Sequence, residues 1–259
     1  IIPFGWGTAG AAIATSFGFF CSTIYYLICM LRAQKKNNPL VKLNMKYFAP
    51  NKEMVGNVIS IGIPGALITV LLSVSNIVLN NFMGIYGSNA VAAYGIAYKI
   101  DLVPIQLSVG LSQGVSPLVG DYYGAGNKKI MGQAMKLSII YGMVLGAVFL
   151  AAFFAFGTGL SRVFLHDETL VAQAGYFVKV LGLSAPMLGI INMITSYYQA
   201  LGAAIKSLLI TIMRNAVLFI PAVIILNHFF QLNGVIAAQP VVEVILAIIC
   251  IIMYIKDHK

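Results

Sequence analysis

The chain alternates between long apolar stretches and short polar connections. Seven of the apolar stretches reach or approach the roughly 20 residues that an α-helix needs to cross the hydrocarbon core of a bilayer. The pattern therefore predicts an all-α integral membrane protein with seven transmembrane helices. These helices are predicted at residues 3–31, 55–83, 91–119, 134–156, 171–200, 207–226 and 235–255.

The third predicted helix departs most from a lipid-facing composition, because it contains Lys99, Asp101 and Gln106. A charged side chain at membrane depth is costly unless it faces the interior of a helix bundle or a water-filled cavity. We therefore expect this helix to line a pathway, with Asp101 as the residue most directly involved in function. The alternative is that Asp101 forms a structural pair with a lysine, for which Lys179 of the fifth helix is the best placed.

Other polar residues within the predicted helices extend this candidate pathway. Asn76 and Asn80 are four residues apart and share one face of the second helix, where they either bond a neighbouring helix or line a cavity. We place Glu243 mainly as a structural carboxylate paired with Arg214 or Lys179, with a proton relay as the alternative. The complete set of candidates for a substrate or ion pathway is Asp101, Lys99, Tyr98, Gln106, Asn76, Asn80, Asn192, Lys179 and Glu243.

Composition supports the membrane assignment and excludes several functions. Hydrophobic residues make up 60% of the chain and charged residues 9%, whereas soluble domains carry about 25% charged residues. The formal charge of +9 does not indicate nucleic-acid binding, because the basic residues lie in connections between helices rather than on one face. The histidines and cysteines form no catalytic or metal-binding pattern, so we expect neither an enzyme nor a cofactor.

The distribution of basic residues predicts the orientation. One set of alternate connections carries six Lys or Arg within 32–52 and three within 128–136, followed by Lys206, Arg214 and the C-terminal lysines. The other set carries only Arg162. Since cytoplasmic connections are enriched in Lys and Arg, we expect the 32–53 connection and the C-terminus to be cytoplasmic, in a plasma-membrane protein. The chain begins at Ile1 without a methionine, and we expect it to be part of a longer protein.

Three segments resemble one family of transporters. They are IGIPGALITVLLSVSNIVLNN at 61–81, the pattern GxxQGxxPLVGxxxGAGN at 110–127, and the QALG turn at 199–202. Together they resemble the second half of multidrug and toxic compound extrusion (MATE) transporters. Members of that family have twelve helices in two six-helix lobes, with a central cleft that opens to alternate sides of the membrane.

The resemblance implies a domain organisation and a function. Residues 1–31 would be the last helix of the N-terminal lobe, 32–53 a cytoplasmic linker, and 54–259 the C-terminal six-helix lobe. The function would be secondary active efflux of amphipathic, often cationic drugs, coupled to Na⁺ or H⁺, and the chain would need the missing N-terminal lobe as its partner. Carboxylates that couple cations in one branch of the family have no equivalent near Leu72 or Ile190, so the coupling ion stays open.

Two other functions fit the same helices. A flippase for lipid-linked precursors shares the transporter architecture, and Lys99, Lys179 and Arg214 could serve its pyrophosphate substrate. A seven-helix receptor matches the helix number and the expected orientation, but the seventh helix has no lysine at mid-membrane depth for a chromophore. Its only ionisable residue there is Glu243.

Overall fold

The computed structural model describes residues 7–35, 52–165 and 167–257, and these ranges are almost entirely helical. The chain forms two compact units, Ile1–Ile61 and Gly62–Lys259. The predicted linker at 32–53 lies largely outside the described residues. Its two ends belong to the neighbouring helices. The helices are α1 (Gly7–Lys35), α2 (Lys52–Ile85), α3 (Ser88–Gly124), α4 (Lys128–Arg162), α5 (Glu168–Gly182), α6 (Ala185–Ala200), α7 (Ala204–Ile212), a π-helix (Met213–Leu218) and α8 (Phe219–Asp257).

Length and hydropathy identify the helices that can cross a membrane. Within the residues that the structure describes, four stretches qualify separately: Ala12–Arg32, Ser88–Gly124, Lys128–Phe164 and Ile205–Asp257. The helices α5 and α6 qualify together as one span broken by a bend of 44°, where the sequence predicted a single kinked helix. The 34 residues of α2 are also enough to cross a bilayer.

The longest of these stretches, Ile205–Asp257, is a helical hairpin. At ~1.5 Å per residue, a straight helix of its 53 residues would be about 80 Å long, far beyond the ~30 Å hydrocarbon core. The backbone leaves the helical region at Gln231, where φ is 51° and ψ is −133°. On either side of this reversal, Leu226 lies so close to Gly234 that a Cβ on the glycine would overlap the Leu226 oxygen. We call residues 204–230 the first arm and residues 232–257 the second arm, and the hairpin supplies the sixth and seventh predicted spans.

The glycine-rich segment that follows Gly120 is more helical than the sequence predicted. The third helix was predicted to end at residue 119, but α3 continues to Gly124 and the turn is confined to the next three residues. Gly126 has a positive φ of 71°, which glycine adopts without steric cost. The side chain of Asn127 then accepts a hydrogen bond from the Ile130 amide at 3.2 Å and caps α4.

Two apolar clusters hold the unit Gly62–Lys259 together. The first is centred on Met83, Ala97 and Phe177, and the second on Met135 and Tyr198. On α3 and on both arms of the hairpin, the first cluster occupies one end and the second cluster the other. The buried polar side chains that concern function lie between these clusters.

Direct backbone contact joins α4 to α6. A Cβ placed on Gly189 would overlap the backbone of Gly142, and one placed on Gly146 would overlap the Ala185 carbonyl. Small residues at such crossings allow membrane helices to gain van der Waals contact, since lipid supplies no hydrophobic driving force between them. This crossing fixes the broken α5–α6 span against the scaffold helix α4.

The crossing gives a stability prediction. We expect Gly189→Ala to destabilise the protein by about 2 kcal/mol, because the added methyl group overlaps the Gly142 backbone and forces the helices apart. The matched control is Gly132→Ala, also in α4, where a Cβ meets nothing within 4 Å and the helix propensity of alanine is favourable. Fluorescence-detected size exclusion after heating in detergent measures both variants. Equal thermal stability of the two would contradict the close crossing.

Candidate functional site

A cavity of about 370 Å³ opens between α2, α3 and the two arms of the hairpin. Its walls combine apolar, aromatic and polar groups, and the stacked rings of Tyr94 and Tyr98 form one side, with centroids 5.9 Å apart. Such a mixture suits an amphipathic small molecule. The lining residues are Leu72, Ser75, Asn76, Leu79, Tyr94, Tyr98, Leu102, Ile105, Gln106, Thr211, Arg214, Asn215, Phe219, Gln239, Val242 and Glu243.

An ion pair between the two arms of the hairpin lies in the cavity wall. Arg214 donates from Nε at 2.8 Å and from a terminal nitrogen at 2.6 Å, and both bonds go to the same oxygen of Glu243, Oε1. The Glu243 side chain is 4% exposed and that of Arg214 is 26% exposed. Both residues line the cavity, and the guanidinium is the more exposed of the two charged groups. The second oxygen, Oε2, is buried without a hydrogen-bond partner among the described residues.

A second carboxylate lies just behind the cavity wall. Asp101 is 0% exposed, and its Oδ2 accepts a hydrogen bond from the Gln239 side chain at 3.0 Å. Gln239 lines the cavity, whereas Asp101 does not. The other oxygen of Asp101, Oδ1, is buried and has no partner in the described ranges. Gln239 thus separates a buried carboxylate from the cavity.

The π-helix positions the polar groups of the first arm. Arg214 and Asn215 both belong to this segment, and π-helical turns are rare and frequently found at functional sites. The Asn215 carbonyl accepts a hydrogen bond from the Ser75 hydroxyl of α2. The same hydroxyl lies 2.9 Å from the Leu71 carbonyl of its own helix. In this way α2 and the hairpin are joined at the cavity.

A family model named MatE matches residues 64–225, more than half of the chain. The chain belongs to the MatE family. The resemblance to MATE transporters that the sequence carries is therefore confirmed, and members of this family are transporters rather than enzymes. The match covers α3 to α6, together with the part of α2 that lines the cavity and the π-helix with Arg214.

Curated relatives and solved structures agree with this membership. The multidrug export protein MepA of Staphylococcus aureus is 31% identical over 260 residues, and that of Staphylococcus saprophyticus is 29% identical. This chain is covered completely in both cases but spans only 56% of each relative. Three solved structures share the fold with TM-scores of 0.81: a MATE protein in complex with MaD3S (21% identity), an outward-facing multidrug resistance MATE transporter (20%), and a MOP superfamily transporter from Pyrococcus furiosus with a binding pocket of reversed polarity (22%). Each of them covers 98% of this chain, which covers 56–57% of each structure.

In this MatE chain, the structure brings together about half of the residues that the sequence suggested. Asn76, Tyr98, Gln106 and Glu243 line the cavity, and Asp101 lies directly behind Gln239. Asn76 donates a hydrogen bond to the carbonyl of Leu72 in its own helix. The candidates outside the cavity lining are Lys99, Asn80, Asn192 and Lys179.

Two suggested pairings are resolved by the geometry. The proposed partner of Asp101, Lys179, is wrong, because the hydrogen bond to Asp101 comes from Gln239 and no ion pair with Lys179 occurs in the described part of the chain. Of the two cations suggested for Glu243, the structure selects Arg214. Antiparallel arms joined at Gln231 bring these two side chains to the same depth.

Sequence reasoning missed Gln239 altogether. A neutral glutamine next to Pro240 in an apolar helix carries no indication of its partner, which lies 138 residues away in α3. The available signal was only that an amide within a membrane helix needs a hydrogen-bond partner. Thr211 of α7, which lines the cavity and whose hydroxyl donates to the Ser207 carbonyl of its own helix, was also missed.

The ion pair gives a second prediction. Glu243→Gln should destabilise the protein by about 3 kcal/mol, because Arg214 would remain at membrane depth without a counter-charge. The matched control is Glu168→Gln, which breaks the exposed pair with Arg162 at 2.8 Å and should cost less than about 1 kcal/mol. Thermal unfolding in detergent measures both. A Glu243→Gln variant as stable as the control would show that Arg214 is adequately solvated by the cavity.

Proposed function

We propose that this chain forms one lobe of a secondary active exporter, which moves amphipathic compounds out of the cell in exchange for Na⁺ or H⁺. The observation that carries the proposal is a cavity, between two apolar clusters, whose wall contains an ion pair and a shielded carboxylate. Polar groups at such depth are retained in membrane proteins mainly along substrate or ion pathways. The MepA relatives are multidrug export proteins, which supports the same function.

Asp101 is the proposed binding site for the coupling cation. Among the described residues it has no charged partner and its Oδ1 has no hydrogen-bond partner, so this oxygen can accept a proton or coordinate a cation. Movement of the Gln239 side chain would connect it with the cavity. Substrate and coupling cation would then occupy opposite sides of Gln239, which allows one to influence the other. In the same proposal, the protein lies in the plasma membrane with the C-terminus in the cytoplasm, as the basic connections suggest.

A second lobe completes the proposed transporter. Alternating access requires one bundle to move against another around a central site, and the chain spans about half the length of the curated relatives it matches. Residues of α2 and α3 that line the cavity, such as Asn76 and Tyr98, would face that lobe. The flippase alternative loses support, because Lys99 and Lys179 do not line the cavity and Arg214 is already paired.

The coupling role of Asp101 can be tested directly. Asp101→Asn should abolish drug efflux while leaving the amount of protein unchanged, because the amide keeps the shape and a hydrogen-bonding oxygen but cannot bind a cation electrostatically. The control is Asp167→Asn at the exposed N-cap of α5, where asparagine caps equally well. Efflux of a fluorescent drug from energised cells measures both. Normal efflux by Asp101→Asn would reject the assignment.

The requirement for a second lobe is a separate prediction. Residues 1–259 alone, reconstituted in vesicles, should give no ion-driven dye flux, because only one wall of the cleft is present. Co-reconstitution with the remaining part of the transporter should restore flux. Robust flux from residues 1–259 alone would contradict the proposal and point to a functional homodimer.

A further inference from the structure

The positive and negative side chains around the cavity differ in how far they are exposed. Among the described residues that line it, Arg214 and Glu243 are the only Lys, Arg, Asp or Glu side chains, and they differ in exposure, at 26% and 4%. The carboxylate of Asp101 is withdrawn behind Gln239. Of these three charged groups, the guanidinium is therefore the most accessible to a molecule in the cavity of this lobe.

The guanidinium of Arg214 also has N–H groups that can donate further hydrogen bonds. Both of its hydrogen bonds go to Glu243 Oε1, through Nε and one terminal nitrogen. Its remaining N–H groups donate to no group in the part of the chain that the structure describes. A planar guanidinium suits the two oxygens of a carboxylate better than the single oxygen it now contacts.

We propose that Arg214 is a specificity-determining residue that binds the carboxylate, or an equivalent anionic group, of an amphipathic substrate. Glu243 is its internal competitor: it holds the guanidinium in place when the cavity is empty and shares it when the anionic group arrives. The apolar and aromatic walls, including Tyr94 and Tyr98, accept the rest of the molecule. This inference rests on the proposed export function, since it names the chemical class that the exporter takes.

A purely cationic drug is less suited to this cavity than an anionic one. A cation entering the cavity would approach the exposed guanidinium at close range, and like charges in a partly desolvated site repel. An anionic group gains a charge-assisted hydrogen bond there. A zwitterionic substrate fits as well, provided that its positive group lies away from Arg214.

The test compares two dyes with the same xanthene ring system and opposite charge. Fluorescein is anionic and rhodamine 123 is cationic, and fluorescence anisotropy measures the binding of each to the purified complete transporter in detergent. We expect wild type to bind fluorescein more tightly. Glu243→Gln removes the competitor and should strengthen fluorescein binding about tenfold. Arg214→Gln combined with Glu243→Gln removes both charges from the cavity lining and should weaken fluorescein binding about tenfold relative to wild type, on the scale of one charged hydrogen bond.

The control variant tests whether the charge must lie in the cavity. Arg162→Gln combined with Glu168→Gln neutralises the exposed ion pair far from the cavity and should leave the affinity for both dyes unchanged. Rhodamine 123 binding should stay constant or strengthen in the cavity double variant. Equal losses for both dyes in that variant, or weaker fluorescein binding by Glu243→Gln, would overturn the role of Arg214 and leave a purely structural ion pair.

A flux measurement distinguishes this failure from failure of the export function. If wild-type vesicles transport neither dye although the binding preference is present, the proposed export function is wrong and Arg214 still selects anions. If they transport both dyes with equal efficiency and the double variant does the same, the export function stands and the role of Arg214 is rejected.

Discussion

The pair formed by Arg214 and Glu243 is the interaction on which the architecture around the cavity depends. Two charges at membrane depth are tolerated only when they meet each other or water, and this requirement fixes how the two arms of the hairpin align. The alignment in turn places Gln239, one turn before Glu243, where it reaches Asp101 of α3. One electrostatic constraint therefore orders three helical segments. The apolar clusters on either side exclude lipid and hold the polar layer at a single depth.

On the other side of the bundle, the helices are held together by close packing rather than by charge. There α4 and α6 are in backbone contact through Gly142 and Gly189, and no charge is involved. Packing of this kind gives a rigid support, because neither helix can slide without a clash. The unit Gly62–Lys259 thus combines a closely packed side with a polar side that contains open space. Motions that open or close a cleft are expected on the polar side, where space and exchangeable hydrogen bonds exist.

The sequence predicted the helices well because membrane depth imposes a length on every apolar stretch. It also predicted Arg214 as one of two possible partners of Glu243, because few residues within the spans carry a charge. It could not predict that Gln239 caps Asp101, because a neutral amide selects its partner by three-dimensional geometry alone. The π-helix has no sequence signature, and a reversal at Gln231 rather than at a glycine goes against backbone preference. The sequence could not predict that Lys99 lies outside the cavity lining, because apolar residues on every side of a helix do not indicate which face is turned towards a cavity.

The hydroxyl of Ser75 has one hydrogen and two acceptors within reach, the carbonyl of Leu71 in its own helix and that of Asn215 in the hairpin. The Ser75 hydroxyl can lose its hydrogen bond to one of these carbonyls and still donate to the other. If α2 separates from the hairpin, Ser75 keeps its bond to Leu71, and the Asn215 carbonyl is released into the cavity, where water can reach it. The contact between Ser75 and Asn215 can therefore break with little loss of free energy. The backbone contact between Gly142 and Gly189 has no such alternative and keeps α4 and α6 together.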